Sequence, residues 1–270
     1  MTTSERSALA FFRPRLRRAG TPARAASERA YLKSNLRFYG AGVPAIRAAV
    51  LEYCRQKPDL TRSELRALAE TLYATNVHEL RSAAIGVLER QRARLTERDL
   101  PWVMGLVRSS NTWAHVDWIA PKVIGDVIAR YPRSRSLLTR WAADGNFWVR
   151  RTALLAEHDA LRAGGGDFAL FARLAAGMLD EREFFIRKAI GWVLREVSKR
   201  RPELVYGFLR DHRDRVSRLT LQEGAKYLPV GQRLGLGLSA QAAWVEREER
   251  RKRVKSDPAG PTVANRASEV

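Results

Sequence analysis

The segment from residue 111 to residue 120, NTWAHVDWIA, holds two tryptophans, a histidine and one aspartate in a chain with a formal net charge of +20. Trp113 and Asp117 are four residues apart, so on a helix their side chains share one face. A carboxylate beside an aromatic ring is suited to meeting a positively charged group. His115 lies two residues before Asp117 and therefore on a different face, which argues against an Asp–His pair.

An internal repeat gives this aspartate its context. Six segments open with an apolar residue at 46, 80, 116, 149, 186 and 221, and the starts are 34, 36, 33, 37 and 35 residues apart. This period is typical of solenoids built from pairs of helices. The copy that begins at Val116 has Asp117 in its second position, whereas four other copies have arginine there: Arg47, Arg81, Arg150 and Arg187.

Two interpretations of Asp117 follow from the repeat. The recurring arginine is explained by a structural pairing with a neighbouring repeat, and Asp117 would then only reverse the sign of one such pair. Alternatively, this position has been reassigned to a function. Equivalent helices of stacked repeats lie about 8–10 Å apart, so Trp113 and Asp117 can converge with Arg151 and Trp192 on one concave surface. Arg151 has Ser82 and Lys188 as its counterparts, so the repeat itself does not require an arginine there.

The periodicity predicts an all-α, HEAT-like helical repeat solenoid of about six two-helix repeats with a concave basic groove, spanning residues 25–235. Residues 1–24 are expected to form a basic N-terminal arm or a helix, and residues 236–270 a charged, disordered tail. Breakers such as Gly, Asn and Pro delimit the helices. The predicted helices are 61–75, 77–92, 97–109, 113–130, 147–160, 167–179, 184–200 and 203–211.

Charge and composition narrow the function classes. Residues 1–30 carry a net +5 and residues 241–270 a net +2, which leaves +13 for the middle of the chain and favours a polyanionic partner such as nucleic acid. The single cysteine, Cys54, excludes an internal disulfide and is expected in the core. No metal-ligand spacing, phosphate-binding loop, nucleophile elbow or membrane-length apolar run is present. Three other tryptophans are expected in the core: Trp118, Trp141 and Trp148.

Several segments resemble the AlkD-like DNA alkylation repair proteins, which are HEAT-like-repeat DNA glycosylases. The likeness covers roughly residues 28–230 and is carried by TWAHVDWIAPKVIGD, NFWVRRTALL and above all EFFIRKAIGWVLREVSKRRPELV. The resemblance implies excision of cationic N3- and N7-alkylated purines without a metal, a cofactor or a base-holding pocket. It places Trp113, Asp117, Arg151 and Trp192 at the family's active-site positions. The residues expected to contact DNA are Arg151, Arg195, Lys188 and Tyr31.

The resulting prediction is a monofunctional alkylpurine DNA glycosylase that acts on double-stranded DNA. We expect a cytoplasmic monomer, associated with the nucleoid in a bacterium. Two alternatives stay open at this stage: a relative that binds distorted DNA without cutting it, and a HEAT solenoid that scaffolds other proteins. Thr112 departs from the family pattern, because some members have another tryptophan at that position.

Overall fold

The chain folds from helices joined by turns, and the computed structural model describes residues 3–239. Within that range the only β-type pairing is an isolated bridge between Arg37 and Val77, which confirms the all-α prediction. The helices are α1 (Thr3–Ala19), α2 (Pro22–Leu32), α3 (Val43–Gln56), α4 (Arg62–Tyr73), α5 (His78–Arg90), α6 (Leu100–Arg108), α7 (Trp113–Ile119), α8 (Gly125–Arg130), α9 (Ser136–Ala142), α10 (Phe147–Leu155), α11 (His158–Arg162), α12 (Phe168–Gly177), α13 (Phe184–Ser198), α14 (Pro202–Asp211), α15 (Arg218–Gly224) and α16 (Val230–Gly235).

Each of the eight predicted helices overlaps a helix of the structure, because local capping signals set many of the starts. Thr61 and Glu64 form a capping box at the beginning of α4. Asn146 accepts a hydrogen bond from the Trp148 amide at the beginning of α10. Such caps satisfy amides that the helix itself leaves unpaired, so they are readable from the sequence.

The predicted helix over residues 113–130 is interrupted at Pro121. A π-helical turn, Ala120–Ile124, joins α7 to α8. Proline has no backbone N–H, so Pro121 cannot donate the α-helical hydrogen bond to the carbonyl of Asp117 four residues earlier. The helix therefore widens directly after the aspartate, as often happens beside functional sites.

Helix α9 is one of the helices that lie outside the eight predicted ranges. It has only seven residues and lies between Pro132 and Gly145, so its apolar spacing is too short to indicate a helix by periodicity. Trp141 is 4% exposed and anchors α9 in the core, as expected for this residue.

The N-terminal segment is a helix that belongs to the core rather than a separate arm. Phe12 and Leu16 of α1 are completely or almost completely buried, and Phe12 packs 5.0 Å from the ring of Tyr53 in α3. The domain boundary expected at residue 25 is therefore corrected towards the N-terminus. The tail expected from residue 236 lies, from residue 240 onwards, outside the described residues, and Leu236 itself is buried.

The repeat copies coincide with one row of helices. Helices α3, α5, α7, α10, α13 and α15 pack side by side in that order, and we call them the site row. The first residue of every copy is at most 3% exposed: Ile46, Leu80, Val116, Val149, Ile186 and Leu221. Polar contacts recur at the same spacing, as in Arg62 with Asp99 and Lys188 with Glu223, 37 and 35 residues apart.

Candidate active site

Helix α7 begins at Trp113 and presents Trp113 and Asp117 on one face. The Thr112 hydroxyl caps the helix by accepting a hydrogen bond from the Ala114 amide at 3.3 Å. Thr112 is 1% exposed, so the residue that departs from the family pattern serves as a buried N-cap. This cap fixes the first turn of α7 and thereby the direction of the Trp113 side chain.

Tyr31 lies against Trp113 from the end of α2. The two rings meet edge to face with centroids 5.6 Å apart, and Tyr31 is 72% exposed. Asn111, in the turn before α7, is bonded to the segment that follows α2. Its Nδ2 donates to Asn35 Oδ1 at 2.6 Å, and its Oδ1 accepts from the Ser34 hydroxyl at 3.2 Å. These bonds connect the two segments that carry the aromatic pair, of which Tyr31 is exposed and Trp113 partly buried.

Asp117 forms a bidentate ion pair with Arg151 of α10. Nε and Nη2 of Arg151 donate to the two carboxylate oxygens at 2.7 and 2.8 Å. The side chain of Asp117 is 16% exposed and that of Arg151 is 3% exposed. Each carboxylate oxygen keeps a lone pair that Arg151 does not use, so the acid can still accept a hydrogen bond from the accessible side.

Burial corrects the role expected for Arg151. Its third nitrogen, Nη1, donates to the backbone carbonyl of Phe185 in α13, and its guanidinium lies 5.8 Å from the centre of the Phe185 ring. A guanidinium that is almost completely buried and bonded at all three nitrogens is not presented to a phosphate. In this structure Arg151 orients the Asp117 carboxylate instead, and it ties α7, α10 and α13 together.

Helix α13 carries Lys188, Trp192 and Arg195 along one stripe, at spacings of four and three residues. Glu223 of α15 accepts hydrogen bonds from both cations, including one from Lys188 Nζ at 2.7 Å. Burial and the charges of Arg195 and Arg151 lower the pKa of Lys188. Lys188 is 39% exposed and Arg195 is 24% exposed at the side chain. The two expected DNA contacts are thus accessible, but one carboxylate partly neutralises them.

A glycine makes this arrangement possible. A Cβ at position 191 would lie 2.8 Å from the Cβ of Glu223 and 3.3 Å from the Cα of Thr220. Gly191 therefore lets α15 approach α13 closely enough for Glu223 to reach Lys188. Glu223 was not recognised in the sequence, although its distance of 35 residues from Lys188 equals the repeat period.

Trp192 lies at the far side of the site, against a buried histidine. The rings of Trp192 and His158 have centroids 4.5 Å apart, and His158 Nδ1 is 3.1 Å from Asp159 Oδ1. Asp159 also accepts a hydrogen bond from Lys122 at 2.7 Å, and the bonds from His158 and Lys122 lower the pKa of Asp159 to about 2. Among the described residues no hydrogen bond or ring contact joins Trp192 directly to Asp117.

The buried face of α7 carries His115, whereas the face at the candidate site carries Trp113 and Asp117. His115 is completely buried and stacks on His78, whose ring in turn stacks on Phe38. His115 Nε2 lies 3.2 Å from the hydroxyl of Ser82 and makes no bond to Asp117, as its position in the sequence predicted. Burial lowers the pKa of His78 to about 4 and that of His115 well below its usual range. These histidines act as neutral packing groups behind the site.

Three of the four recurring arginines share one structural contact. Each donates to the backbone carbonyl six residues earlier, in the turn that precedes its helix: Arg81 to Thr75, Arg150 to Asp144 and Arg187 to Glu181. Arg81 and Arg150 also reach the next repeat, at the carbonyl of Ser109 and the carboxylate of Glu181. The predicted pairing with a neighbouring repeat is confirmed for these two residues. Arg47 is the exception, because its guanidinium lies over the ring of Trp118 at 5.7 Å.

The expectation that Trp118 belongs to the core is met only in part, because its side chain packs against the core but stays partly exposed. Trp148 is 8% exposed, in agreement with the sequence, but Trp118 is half-buried and lines a cavity. Its Nε1 donates to Glu89 Oε2 at 2.7 Å. Cys54 is also only partly buried, and burial raises the pKa of its thiol.

Two other kinds of site are absent from the described part of the chain. Residues 3–239 contain no group of three or more His, Cys, Asp or Glu side chains that could hold a metal ion. Over the same residues no helix is both long and apolar enough to cross a membrane. At the site itself, Arg151 orients one carboxylate, that of Asp117, on the helix face that also carries Trp113.

Comparison with known proteins places the chain in a family. The family model described as DNA alkylation repair enzyme matches residues 12–228, a range that begins within α1. A protein from Enterococcus faecalis described as a predicted DNA alkylation repair enzyme has a similar structure, with a TM-score of 0.70 and 26% identity over 77% of this chain and 96% of that one. No curated protein gives a significant match to the sequence.

Two further solved structures share the fold. AlkD2 from Streptococcus mutans has a TM-score of 0.55 and 17% identity, covering 69% of this chain and 90% of that one. The protein smu.31 from Streptococcus mutans UA159 has a TM-score of 0.54 and 17% identity, covering 69% and 92%. At this identity the likeness concerns the helical repeat architecture alone. From the family match over most of its length, the chain belongs to the DNA alkylation repair enzyme family.

Proposed function

We propose that this protein hydrolyses the N-glycosidic bond of cationic N3- and N7-alkylated purines in duplex DNA. The observation that carries the proposal is the position of Asp117. It occupies the repeat position that holds arginine in four other copies, and a buried Arg151 fixes both of its oxygens. Family membership makes alkylated DNA the natural substrate class for such an acid.

The residue types agree with the chemistry of this bond. An alkylated purine already carries a positive charge, so it leaves with the bonding electron pair as a neutral base and needs no general acid. The positive charge then develops on the deoxyribose as an oxocarbenium-like cation. Asp117 stabilises this cation and orients a water molecule towards the anomeric carbon, and the proton of that water passes to the carboxylate or to solvent.

The neighbouring residues have separate tasks in this proposal. The face of the Trp113 indole packs against the cationic sugar, and Tyr31 extends the same aromatic surface towards the DNA backbone. Trp192 packs on the backbone from the other side of the site, supported by His158. Arg151 is a positioning residue that acts through Asp117. No base-holding pocket is part of the scheme.

The DNA-binding part of the proposal rests on the cations of α13. Lys188 and Arg195 share Glu223 in the free protein. A phosphate that approaches this stripe competes with Glu223 for the two cations, so each contact exchanges one ion pair for another. Binding to duplex should nevertheless depend steeply on salt, because the neutralised phosphates release condensed counterions.

A second candidate function has an observation in its favour. Asp117 is engaged in an ion pair between repeats, which a purely structural role would also produce. The protein would then bind damaged or distorted DNA without cleaving the glycosidic bond. The two candidates differ in one measurable respect, the release of free base.

The test is to incubate the purified protein with duplex DNA that contains 7-methylguanine or 3-methyladenine and to separate the released bases by chromatography. We expect release by the native protein and a rate about 100- to 1000-fold lower for Asp117→Asn, the usual loss when one electrostatic partner of a transition state is removed. Affinity for duplex should change little in this variant.

Asp126→Asn is the matched control, because Asp126 of α8 also joins two repeats through Arg92 and lies outside the site. It should keep the native rate of release. Release by Asp117→Asn at the native rate would remove Asp117 from the mechanism. Tight binding of methylated duplex without any release by the native protein would establish the second candidate instead.

A further inference from the structure

A cavity of about 310 Å³ lies across α3, α5 and α7, beside the candidate site. Gly86 of α5 leaves the depression open, since a Cβ at this position would lie 3.0 Å from Val50 of α3 and 3.5 Å from the Trp118 ring of α7. Side chains from two helices that are not neighbours in the site row thus meet above α5. The cavity walls include Arg47, Glu89, Arg90 and Trp118.

The indole in this cavity is held in a fixed orientation. Trp118 Nε1 donates to Glu89 Oε2 at 2.7 Å, and the guanidinium of Arg47 lies 5.7 Å from the ring centre. Trp118 directly follows Asp117 in α7, so the two Cα atoms are only about 3.8 Å apart. The cavity therefore borders the helical turn that carries the candidate catalytic carboxylate.

Two guanidinium groups in the cavity have no acceptor. Neither Arg47 nor Arg90 donates a hydrogen bond to any group in residues 7–239, and both are exposed. Arg92, also in the wall, is bonded to Asp126 at 2.9 Å. Three of the four recurring arginines of the repeat donate to a backbone carbonyl in the turn before their helix. Arg47 is the fourth, and its guanidinium is available for a ligand.

An adjacent cavity has a different balance of charges in its walls. It has the same volume of about 310 Å³ and is lined by Arg92 and Lys122 together with three carboxylates, Glu89, Asp126 and Asp159. Both of its cations are bonded to carboxylates. The cavity at Trp118 instead has three arginines against one glutamate. An anion therefore prefers the cavity at Trp118.

We propose that the cavity at Trp118 binds one deoxyribose-phosphate unit of the DNA strand, with the phosphate on Arg47 and Arg90 and the sugar against the Trp118 ring. This inference rests on the proposed function, in which DNA crosses the site row. It adds a backbone contact on the N-terminal side of Asp117, opposite to the cations of α13. The strand is thus held on both sides of the scissile bond.

The test is a double-mutant cycle between one arginine and one phosphate. A series of undamaged duplexes carries a single neutral methylphosphonate at successive positions of one strand, and affinity is measured by fluorescence anisotropy. For the native protein, one position should lower affinity about tenfold, as expected for a charge-assisted hydrogen bond. In Arg47→Ala the same position should have a clearly smaller effect, because only Arg90 still contacts that phosphate, and the salt slope should fall by up to about 0.9.

Arg66→Ala is the matched control. Arg66 of α4 is an exposed arginine whose guanidinium also lies 5.7 Å from an indole, that of Trp102, and Trp102 Nε1 likewise donates to a carboxylate, Asp99. Arg66→Ala removes the same charge and the same ring contact outside the site row, together with an exposed ion pair to Glu70 that Arg47 lacks. Affinity should stay within about twofold of native, since a distant surface charge is screened.

Two results would overturn the inference: equal losses in Arg47→Ala and Arg66→Ala, or methylphosphonate effects that simply add to that of Arg47→Ala at every position. Since all duplexes are undamaged, these readings do not depend on excision. If the protein releases methylated bases but the effects are only additive, this inference alone is wrong. If the protein releases no base but Arg47→Ala and one methylphosphonate position are coupled, only the proposed catalytic role is wrong.

Discussion

Arg150 and Arg151 follow each other in α10, and each donates from Nε and Nη2 to the two oxygens of one carboxylate. Arg150 pairs with Glu181 and reaches backbone carbonyls in the turn before its helix, as Arg81 and Arg187 do. Arg151 points to the other side and pairs with Asp117. The side chain of Arg150 is 19% exposed and that of Arg151 is 3% exposed.

The comparison shows that the chemistry of an ion pair does not reveal its task. Both pairs are bidentate, and both join neighbouring repeats. The difference lies in the repeat pattern: Arg150 obeys it, whereas Asp117 departs from it at the equivalent position. The pair that breaks the pattern is also the one bordered by Trp113, Tyr31 and the cations of α13, and there we place the chemistry.

The largest effect is expected from Arg151→Ala. This change strands Asp117 and should lower the free energy of unfolding by about 3–5 kcal/mol, the range for breaking a buried ion pair. Excision by the remaining folded protein should fall about 100-fold, because the carboxylate loses its orientation. Thermal unfolding and single-turnover base release measure the two effects. In combination with Asp117→Asn, the loss of stability should be smaller than the sum by about 0.5–3 kcal/mol. Strict additivity would mean that the pair does not act as a unit.

Arg150→Ala should affect stability without affecting excision, unlike Arg151→Ala. It removes contacts to Glu181 and to two carbonyls and should lower the free energy of unfolding by about 1–3 kcal/mol, since it leaves polar partners unsatisfied. Excision and duplex affinity per folded molecule should stay at the native level. Arg140→Ala, an exposed arginine of α9, controls for the loss of one charge. A selective loss of excision in Arg150→Ala would reverse the assignment of the two arginines.

Low pH should destabilise the protein through His78, a buried histidine that belongs to neither ion pair. His78 is buried in its neutral form with a pKa of about 4, against 6.5 for the ordinary side chain. Between these values the unfolded chain takes up a proton that the folded chain does not. Stability is therefore complete above about pH 6.5 and declines as the pH falls towards 4, by up to about 3 kcal/mol for this residue.

Denaturant unfolding at several pH values measures this decline. His115 acts in the same direction, because its pKa is lowered as well. His78→Phe preserves the stack with Phe38 and should flatten the profile, whereas His212→Gln, outside the stack, should not. A profile unchanged by His78→Phe would show that the acid sensitivity originates elsewhere.

The smallest effect is expected from Glu223→Gln. Removing this carboxylate frees Lys188 and Arg195, so affinity for undamaged duplex should rise about threefold and the salt slope should steepen by up to about 0.9 for each phosphate gained. Anisotropy titrations over a range of salt concentrations measure both quantities. Glu203→Gln is the control, since Glu203 bonds Gln232 outside the site row. Weaker binding by Glu223→Gln would mean that Glu223 positions the two cations rather than competing for them.

The sequence by itself determined the helical repeats and the unusual position of Asp117. Both are local properties: apolar residues at helical spacing define each helix, and capping residues such as Thr61 and Asn146 define many of the ends. The repeat then provides an internal comparison in which one aspartate stands against four arginines. Trp113 shares its face by simple helical geometry.

The tertiary structure alone decided how these residues are paired. The partner of Asp117 lies 34 residues away and that of Lys188 lies 35 residues away, so their contacts depend on how closely the helices of the site row pack. For the second pair that distance depends on Gly191, a residue without a side chain, because a Cβ there would press on Glu223 and Thr220 of α15. Helical periodicity gives the face of a residue but not the separation between helices, and this separation decides which charges meet.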